Sequence, residues 1–574
     1  MKLLLGYLKP HKRMITVALI IKILGTLVEL AIPYILSHIL DNVVPTGVVY
    51  HVVIWGGAMI LCAAAACIFN IVANRMAARV SRNTTETIRH ELFAKVMSLS
   101  PGQVDEFTVP SLESRLTSDT YYIHQFLGMS MRMGVRSPIL LIGGIIVTAT
   151  LDPMLTLVMV VVLPLISISV AVITSKGIPL FKKTQRSVDS MIRIVREDAQ
   201  GIRVIKALSK TDYESRRFDA ASKALVDDEM RARATMSASN PFVTFFLNLG
   251  LVSVIVVGAF RVNGALSEPG KIIAFIQYFT LISMAMIGIT RIFVNYSKCA
   301  ASSARIGEVM NTQSDLCAEP IEKYPVREGE EHIVFDNVSF SYLGKKNNID
   351  KVSFSLPKGG TLGIIGATGS GKTTLIKLLM RFYDVDSGSI RIDGRDVRTF
   401  EHEELNTMFG VVMQNDFIAA DTIRENICFG RDIDDEALDR AAEVAQAKEF
   451  ISAYDDGYEH MLNSKGTNVS GGQKQRLLIA RALAGRPDIL VLDDASSALD
   501  YKTDSNLRRS IRETMADTTT VVVAQRVSSV MNSDLILVLE EGRVIGMGTH
   551  NELMESCEVY REISDSQIGG AFLE

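Results

Sequence analysis

Apolar residues run almost unbroken at six places in the first half of the chain, near Met14–Leu40, Val52–Val72, Gly134–Leu151, Leu155–Thr174, Phe242–Val262 and Ile272–Val294. Each run holds about 20 residues, the length at which an α-helix crosses a hydrocarbon core about 30 Å thick. The pattern predicts six membrane-spanning helices. The connectors between them are of two kinds. "DNVVPTGVVYH", "LDP" and "NGALSEPGK" are short and carry little positive charge. The connectors containing "RMAARVSRNTTETIRHELFAK" and "RSVDSMIRIVREDAQGIRVIKALSKTDYESRRF" are long, rich in Arg and Lys, and free of turn clusters. Excess positive charge marks the cytoplasmic side. The long connectors and both termini are therefore expected in the cytoplasm, with the spanning helices continuing past the bilayer.

Lys22, Glu29 and Arg291 are among the ionisable groups that fall inside or beside these runs. Lipid solvates a charge badly, so such a group faces a cavity or a partner unless it is long enough to snorkel. Lys22 is expected to snorkel and Glu29 to face a cavity; Arg291 fits either. The opening "MKLLLGYLKPHKR" is short and basic, and the run after it is too long for a cleaved signal. It reads as an interfacial helix leading into a retained span.

After about Cys317 the pattern changes. "CAEPIEKYPVREGEEH" is charged and Pro-containing, as linkers are. "IVFDNVSFSY" alternates like a strand, and "DILVLDDAS", "TTTVVVAQR" and "DLILVLEEGRVIGMG" supply further apolar strands separated by helical stretches. Strands alternating with helices predict a largely parallel α/β sheet. The organisation expected is a transmembrane domain over residues 1–310, a linker over 311–332 and a soluble domain over 333–574. Composition agrees: 574 residues exceed one core, and a mean hydropathy of +0.23 is high for a soluble protein. A net charge of −4 gives no basic footprint for nucleic acid. The six cysteines form no CxxC pair, so neither a disulfide framework nor a zinc site is supported.

"GATGSGKTT" follows the apolar strand "TLGII" and precedes the helical "TLIKLLMRF", the context in which GxxxxGK[ST] binds nucleotide phosphates. Gly366, Gly369 and Gly371 let the backbone N–H groups of the loop, with Ala367, Thr368 and Ser370, turn inward around the phosphates. Lys372 reaches the β/γ-phosphates, the Thr373 hydroxyl binds Mg²⁺, and Thr374 continues the helix whose N-terminus favours an anion. "ILVLD" ends in Asp493, the partner carboxylate for Mg²⁺.

"NVSGGQKQRLLIARAL" resembles the signature motif of the ATP-binding cassette (ABC) transporters, usually written LSGGQ, with Val469 in place of Leu. The resemblance extends over nearly the whole chain. It implies a multi-pass membrane protein in which a six-helix all-α transmembrane domain precedes an α/β P-loop nucleotide-binding domain, as in a half-transporter of the type IV exporter fold. On this resemblance Tyr342 stacks on adenine, Gln414 of "VVMQNDF" senses Mg²⁺ and the γ-phosphate, and Asp500 of "SALD" belongs to the D-loop. Ser470, Gly471, Gly472 and Gln473 would face the ATP of a partner. "GRVIGMGTHNEL" is similar to the domain's closing segment. "PSLESRLTSD" (110–119) and "ALSKTDYESRRF" (207–218) match the regions of the two coupling helices, with Tyr213 and Phe218 as contacts for a cassette.

Two departures stand at the hydrolytic positions. The residue after Asp493 is normally Glu, the base that orients or deprotonates the attacking water; here it is Asp494. Asp is one methylene shorter and falls back by about one C–C bond, ~1.5 Å. The switch segment normally reads AHR; "VVVAQRVSS" puts Gln525 there, which hydrogen-bonds phosphate and carries no charge. A weaker departure is Ser464 in "NSKG", where the family often has Glu. With the ATP-binding motifs kept, the site is expected to hold ATP with Mg²⁺ and to hydrolyse it poorly.

Cassettes of the family pair head to tail. The resemblance therefore implies a heterodimer with a second homologous half-transporter that supplies Glu and His, moving an amphipathic drug, lipid or peptide outward across the bilayer. Alternatives are a slow homodimeric transporter and a nucleotide-gated channel or regulatory membrane protein; an import role is not excluded. No nucleic acid partner is expected. The expected location is a cell membrane, of the bacterial inner type.

Overall fold

The computed structural model describes residues 1–342, 344, 346–414 and 417–568. Among them, six helices are long and apolar enough to cross a membrane: Leu3–Thr46, Val49–Met97, Val109–Leu151, Pro153–Ala207, Thr211–Asn263 and Pro269–Asn311. They contain the six predicted spans. The helix over Val49–Met97 has 49 residues, about 73 Å at 1.5 Å per residue, more than twice a hydrocarbon thickness of about 30 Å. The spans therefore do continue beyond their apolar runs.

The chain divides into two compact units, Met1–Met97 with Val109–Thr312, and Ser98–Thr108 with Gln313–Glu574. In the first, Leu30, Leu140, Met159, Val162, Phe279 and Ile282 share one apolar cluster. Small residues let the helices approach: a Cβ on Gly144 would lie 2.7 Å from Ile282. The "LDP" connector is a cap. Asp152 accepts from the N–H groups of Met154 (3.0 Å) and Leu155 (3.3 Å), Pro153 occupies the first helical turn, and the same carboxylate takes Arg261 at 2.8 Å.

Lys22 departs from the expectation that it snorkels. It is 4% exposed and donates to Asn70 Oδ1 (2.7 Å) and Asn74 Oδ1 (3.1 Å) of the second span. Neutral amide oxygens on the facing helix satisfy the ammonium where it stands. Glu29 lies beneath a fork from Arg136, at 2.5 and 3.1 Å.

In the second unit the strands are β1 (Ile333–Phe340), β2 (Ile349–Leu356), β3 (Thr361–Gly366), β4 (Ser387–Ile392), β5 (Arg395–Asp396), β6 (Phe409–Val412), β7 (Ile489–Asp493), β8 (Thr519–Val523), β9 (Leu535–Glu540) and β10 (Arg543–Gly548). One sheet has the order β2-β1-β4-β5 and is antiparallel. The other runs β10-β9-β3-β8-β7-β6, parallel except for the β9–β10 pair. β7 is buried at all five positions, as a strand covered on both faces must be. The parallel register places Ile364 beside Val523 and Val523 beside Asp493. The C-terminal ends of β3, β7 and β8 thus meet at one edge, where ligands of open α/β sheets bind.

The helix Pro101–Phe107 belongs to this unit although it comes from the connector between the second and third spans. A capping box between Ser100 and Gln103, with Pro101 in the first turn, starts it. Ser100 Oγ donates to Asp315 (3.0 Å), Gln103 Nε2 to the Gln313 carbonyl (2.6 Å), and Tyr383 Oη to Asp105 (2.8 Å). Burial and the Asp105 carboxylate push the Tyr383 phenol well above its ordinary value. Residues 110–119, where the resemblance sets the first coupling region, instead open the third spanning helix in the other unit. Arg115 is tied to Glu308 at 2.8 Å, and Asp119, 1% exposed, accepts from Ser302 and Arg305, both at 2.8 Å. Tyr213 is 59% exposed on the helix Thr211–Ser237 and Phe218 is half-buried on it.

Candidate functional site

The loop after β3 is shaped by glycines. Gly369 and Gly371 have φ of +82° and +103°, and a Cβ on Gly371 would lie 2.9 Å from the Asn348 carbonyl. Only Gly combines that backbone with that clearance. The helix Lys372–Leu379 then begins with its N-terminus toward the loop. Ser370 Oγ, buried in the loop, has no hydrogen-bond partner among the described residues.

A cavity of about 270 Å³ opens here. Thr368, Gly369, Gly371, Lys372, Thr373 and Thr374 line one side; Gln414, Asp493, Asp494 and Gln525 line the other. Each of the latter four follows or ends a parallel strand, so the sheet edge gathers residues 372 to 525 around one space. Lys372 Nζ donates to the carbonyls of Gly366 (2.7 Å) and Ala367 (2.8 Å). Burial lowers its pKa, with Asp493 and Asp494 opposing. Thr373 Oγ1 donates to Asp493 Oδ2 at 3.0 Å. Tyr342, on the antiparallel sheet's side, stands 40% exposed with its hydroxyl 3.4 Å from Thr374 Oγ1 and its ring edge-on to Tyr383.

Mg²⁺ fits this donor set. Thr373 Oγ1, the Asp493 carboxylate and the Gln414 amide are hard oxygen donors lining one cavity, as the ion prefers. No group of three His, Cys, Asp or Glu side chains among the described residues would compete for it.

Asp494 has a left-handed backbone, φ +53°, and its N–H donates to the Val523 carbonyl at 2.9 Å. Asp tolerates this region better than most residues. Burial raises its carboxyl above the usual range, while Arg526 and Lys372 pull the other way. Gln525 is held from behind. Gln567 Nε2 donates to its carbonyl (2.9 Å), and Gln567 Oε1 accepts from the Val527 N–H (2.8 Å).

The signature residues do not line this cavity. Ser470 and Gln473 cap each other and start the helix Gly471–Ala484. Asp500 caps the helix Tyr501–Thr514 through Thr503, at 2.9 and 2.7 Å. Gln475 links the two segments: its amide donates to Ser497 Oγ (3.0 Å) and accepts from the Ala498 N–H (2.9 Å). Asn348, Gln475 and Gln567 are the site's supporting residues that sequence reasoning missed. Asn348 and Gln475 lie within a few residues of motifs, whereas nothing local marks Gln567.

Asp493 is 2% exposed. Burial chiefly raises its carboxyl above the ordinary range; the Thr373 hydroxyl and Lys372 lower it and Asp494 adds to the rise. A raised folded-state value penalises folding above that value, and the penalty fades as pH falls. Asp493→Asn, which keeps an acceptor for Thr373, is expected to raise the nucleotide-free melting temperature at neutral pH by roughly 1–3 °C. The gain should shrink toward about pH 4. The same variant should lose most of the extra stabilisation given by ATP with Mg²⁺. Thermal melts with and without nucleotide check both.

Residues 15–286 match the description "ABC transporter transmembrane region" and residues 349–497 match "ABC transporter". The chain is 33% identical over 568 residues to the uncharacterized ABC transporter ATP-binding protein YfiB of Bacillus subtilis, covering 98% of each chain. It is 32% identical over 568 residues to YknU of the same organism, covering 98% of this chain and 96% of that one. It is 31% identical over 570 residues to Rv1273c of Mycobacterium tuberculosis, covering 98% of each. In fold it is similar to a bacterial Atm1-family ABC exporter solved with ATP bound, with a TM-score of 0.80 at 24% identity over 96% of this chain and 98% of that chain.

Proposed function

This chain belongs to the ABC transporter family, as a half-transporter of exporter fold with a transmembrane domain and an ATPase cassette, and from that premise we propose that it is the ATP-retaining half of a heterodimeric exporter. The observation that carries the reading is the lining of the nucleotide cavity. Lys372, Thr373, Asp493 and Gln414 keep the side-chain groups for phosphate and metal, while the two hydrolytic positions beside them hold a short carboxylate, Asp494, and a neutral amide, Gln525.

A general base must stand within hydrogen-bond reach of the water it orients, and displacements of about 1 Å can cost about 10²-fold in rate. Asp494 withdraws its carboxylate by about one C–C bond, ~1.5 Å. Gln525 can hold a phosphate oxygen and cannot offset its charge. Lys372, the loop N–H groups and Thr373 bind and orient the triphosphate; Asp493, Thr373 and Gln414 hold the metal. Mg²⁺, when bound there, would supply positive charge against the phosphates.

The kept signature supports the heterodimer. Ser470, Gly471, Gly472 and Gln473 would complete the site of a partner half-transporter carrying Glu and His, and hydrolysis there would drive the cycle. ATP retained at Lys372 and Asp494 would hold the cassettes in partial contact between cycles. The substrate is an amphipathic molecule moved outward across a bacterial inner membrane, with both termini cytoplasmic. To test the reading, the purified chain is loaded with ATP and Mg²⁺, desalted, and its bound nucleotide resolved by chromatography. ATP should remain bound and intact; recovery as ADP would overturn the reading.

A further inference from the structure

The six apolar stretches contain four basic residues with long side chains, Lys22, Arg136, Arg261 and Arg291, and one carboxylate, Glu29; Arg132 stands just before the third stretch. Arg261 is accounted for by Asp152, 2.8 Å away. The other cations share one level of the helix bundle. Lys22 faces Asn70 and Asn74 and lies within electrostatic range of Arg136, Glu29 and Arg132. Arg136 forks onto Glu29. The third and sixth spans fix the level of Arg291. A Cβ on Gly288 would lie 2.8 Å from Ser137 Oγ, and Asn295 Nδ2 reaches Met129 Sδ at 3.4 Å. Arg291 falls between these contacts, opposite the turn that holds Arg132 and Arg136.

Lys22, Arg132 and Arg136 thus gather near one carboxylate, which Arg136 already engages, and Arg291 stands at the same level on the sixth span. Among the described residues no carboxylate pairs with Lys22, Arg132 or Arg291. Lys22 is buried with only neutral partners. Arg132 is exposed, and its Nε donates to the Gly128 carbonyl of its own helix at 2.9 Å, leaving the rest of its guanidinium open. An uncompensated cation cluster at membrane depth is expensive and marks a substrate path or a countercharge. Arg and Lys only donate, and the guanidinium fork matches carboxylate and phosphate.

We propose that this band recognises the head of an anionic amphiphile, an apolar chain ending in phosphate or carboxylate, as the transported substrate. The proposal rests on the transport reading above and narrows its substrate class. The apolar walls of the spans take the tail; the exposed Arg132 and Arg291 meet the anionic head, buried Lys22 adds its charge from behind Asn70 and Asn74, and Glu29 holds Arg136 in place.

The test is equilibrium binding to the full chain in phosphatidylcholine nanodiscs, without ATP. Dodecyl phosphate, dodecanoate and dodecyltrimethylammonium share a tail and differ in head; inorganic phosphate has the head alone. At least one anionic amphiphile should bind about 10-fold or more tightly than the ammonium compound, and the preference should fall about 10-fold in Arg132→Gln/Arg291→Gln. Both residues are exposed, so the variant is expected to fold. Dodecyl phosphate ahead of dodecanoate, or the reverse, identifies the headgroup. Equal binding of anionic and cationic amphiphiles, an unchanged preference in the variant, or inorganic phosphate binding as tightly as dodecyl phosphate would each overturn the proposal. A failure of ATP-driven transport would sink the transport reading and leave this binding result standing.

Discussion

Asp494→Glu combined with Gln525→His is expected to raise the ATPase rate of the purified chain by about 10²-fold or more. Every other part of the cavity is in place. Lys372, Thr373, Gln414 and Asp493 line it together, and the capped signature helix is available to complete it in a pair of copies. The missing quantities are reach and charge. Glu restores about one C–C bond, ~1.5 Å, and His restores a side chain able to carry a proton at the phosphate. Position 494 has φ +53°, a conformation Asp accepts more readily than Glu, so the variant should lose a little stability while gaining rate. The two changes act on one reaction centre, and each alone should give much less than its share. Phosphate release at saturating ATP and Mg²⁺ reads the gain. An unchanged rate would place the defect outside these two side chains.

Lys372→Ala is expected to weaken ATP binding to this chain by about 10²-fold or more. Lys372 Nζ is held by the carbonyls of Gly366 and Ala367 at the base of the cavity. Lys372 is half-buried, and a cation meeting phosphate makes charge-assisted bonds worth about 1.5–3 kcal/mol each. Removing one partner of a desolvated charged pair costs about 3–5 kcal/mol, or about 10² to 4 × 10³ in affinity at 1.4 kcal/mol per decade. Because the retained ATP is proposed to hold the cassettes together between cycles, the variant should also lose nucleotide through desalting. Equilibrium binding of a fluorescent ATP analogue checks the affinity. Native affinity and native retention in the variant would contradict the role given to this site.

What the sequence showed and what it hid divide by range. The strand, loop and helix from Thr361 to Leu379 could be read directly, because Gly spacing, an apolar strand and a helix start are local signals. Asp494 and Gln525 stood out because each sits one step from a motif whose neighbours are kept. The burial of Lys22 could not be read from its own segment. It depends on Asn70 and Asn74, some fifty residues later and on another helix. Arg136 went unremarked for the same reason: its meaning lies in Glu29, 107 residues away. The helix Pro101–Phe107 had a readable signal, a Ser with Pro after it and Gln three residues on, next to the region that the resemblance favoured. Its attachment through Tyr383 and Asp105 joins positions 278 apart and leaves no local trace. Gln567 bracing Gln525 is of the same kind.

The central claim is that this chain binds ATP and leaves hydrolysis to a partner. The most direct measurement is the steady-state ATPase rate of the chain alone, compared with the chain co-purified with a homologous half-transporter that carries Glu and His. The account predicts a nearly inactive lone chain and an active pair. Activity of the pair should collapse when the partner's Glu is replaced, and persist when Asp494→Asn is made here. A lone chain turning over at about 1 s⁻¹ or faster, within the ordinary range for enzymes, would make Asp494 a competent base and contradict the account.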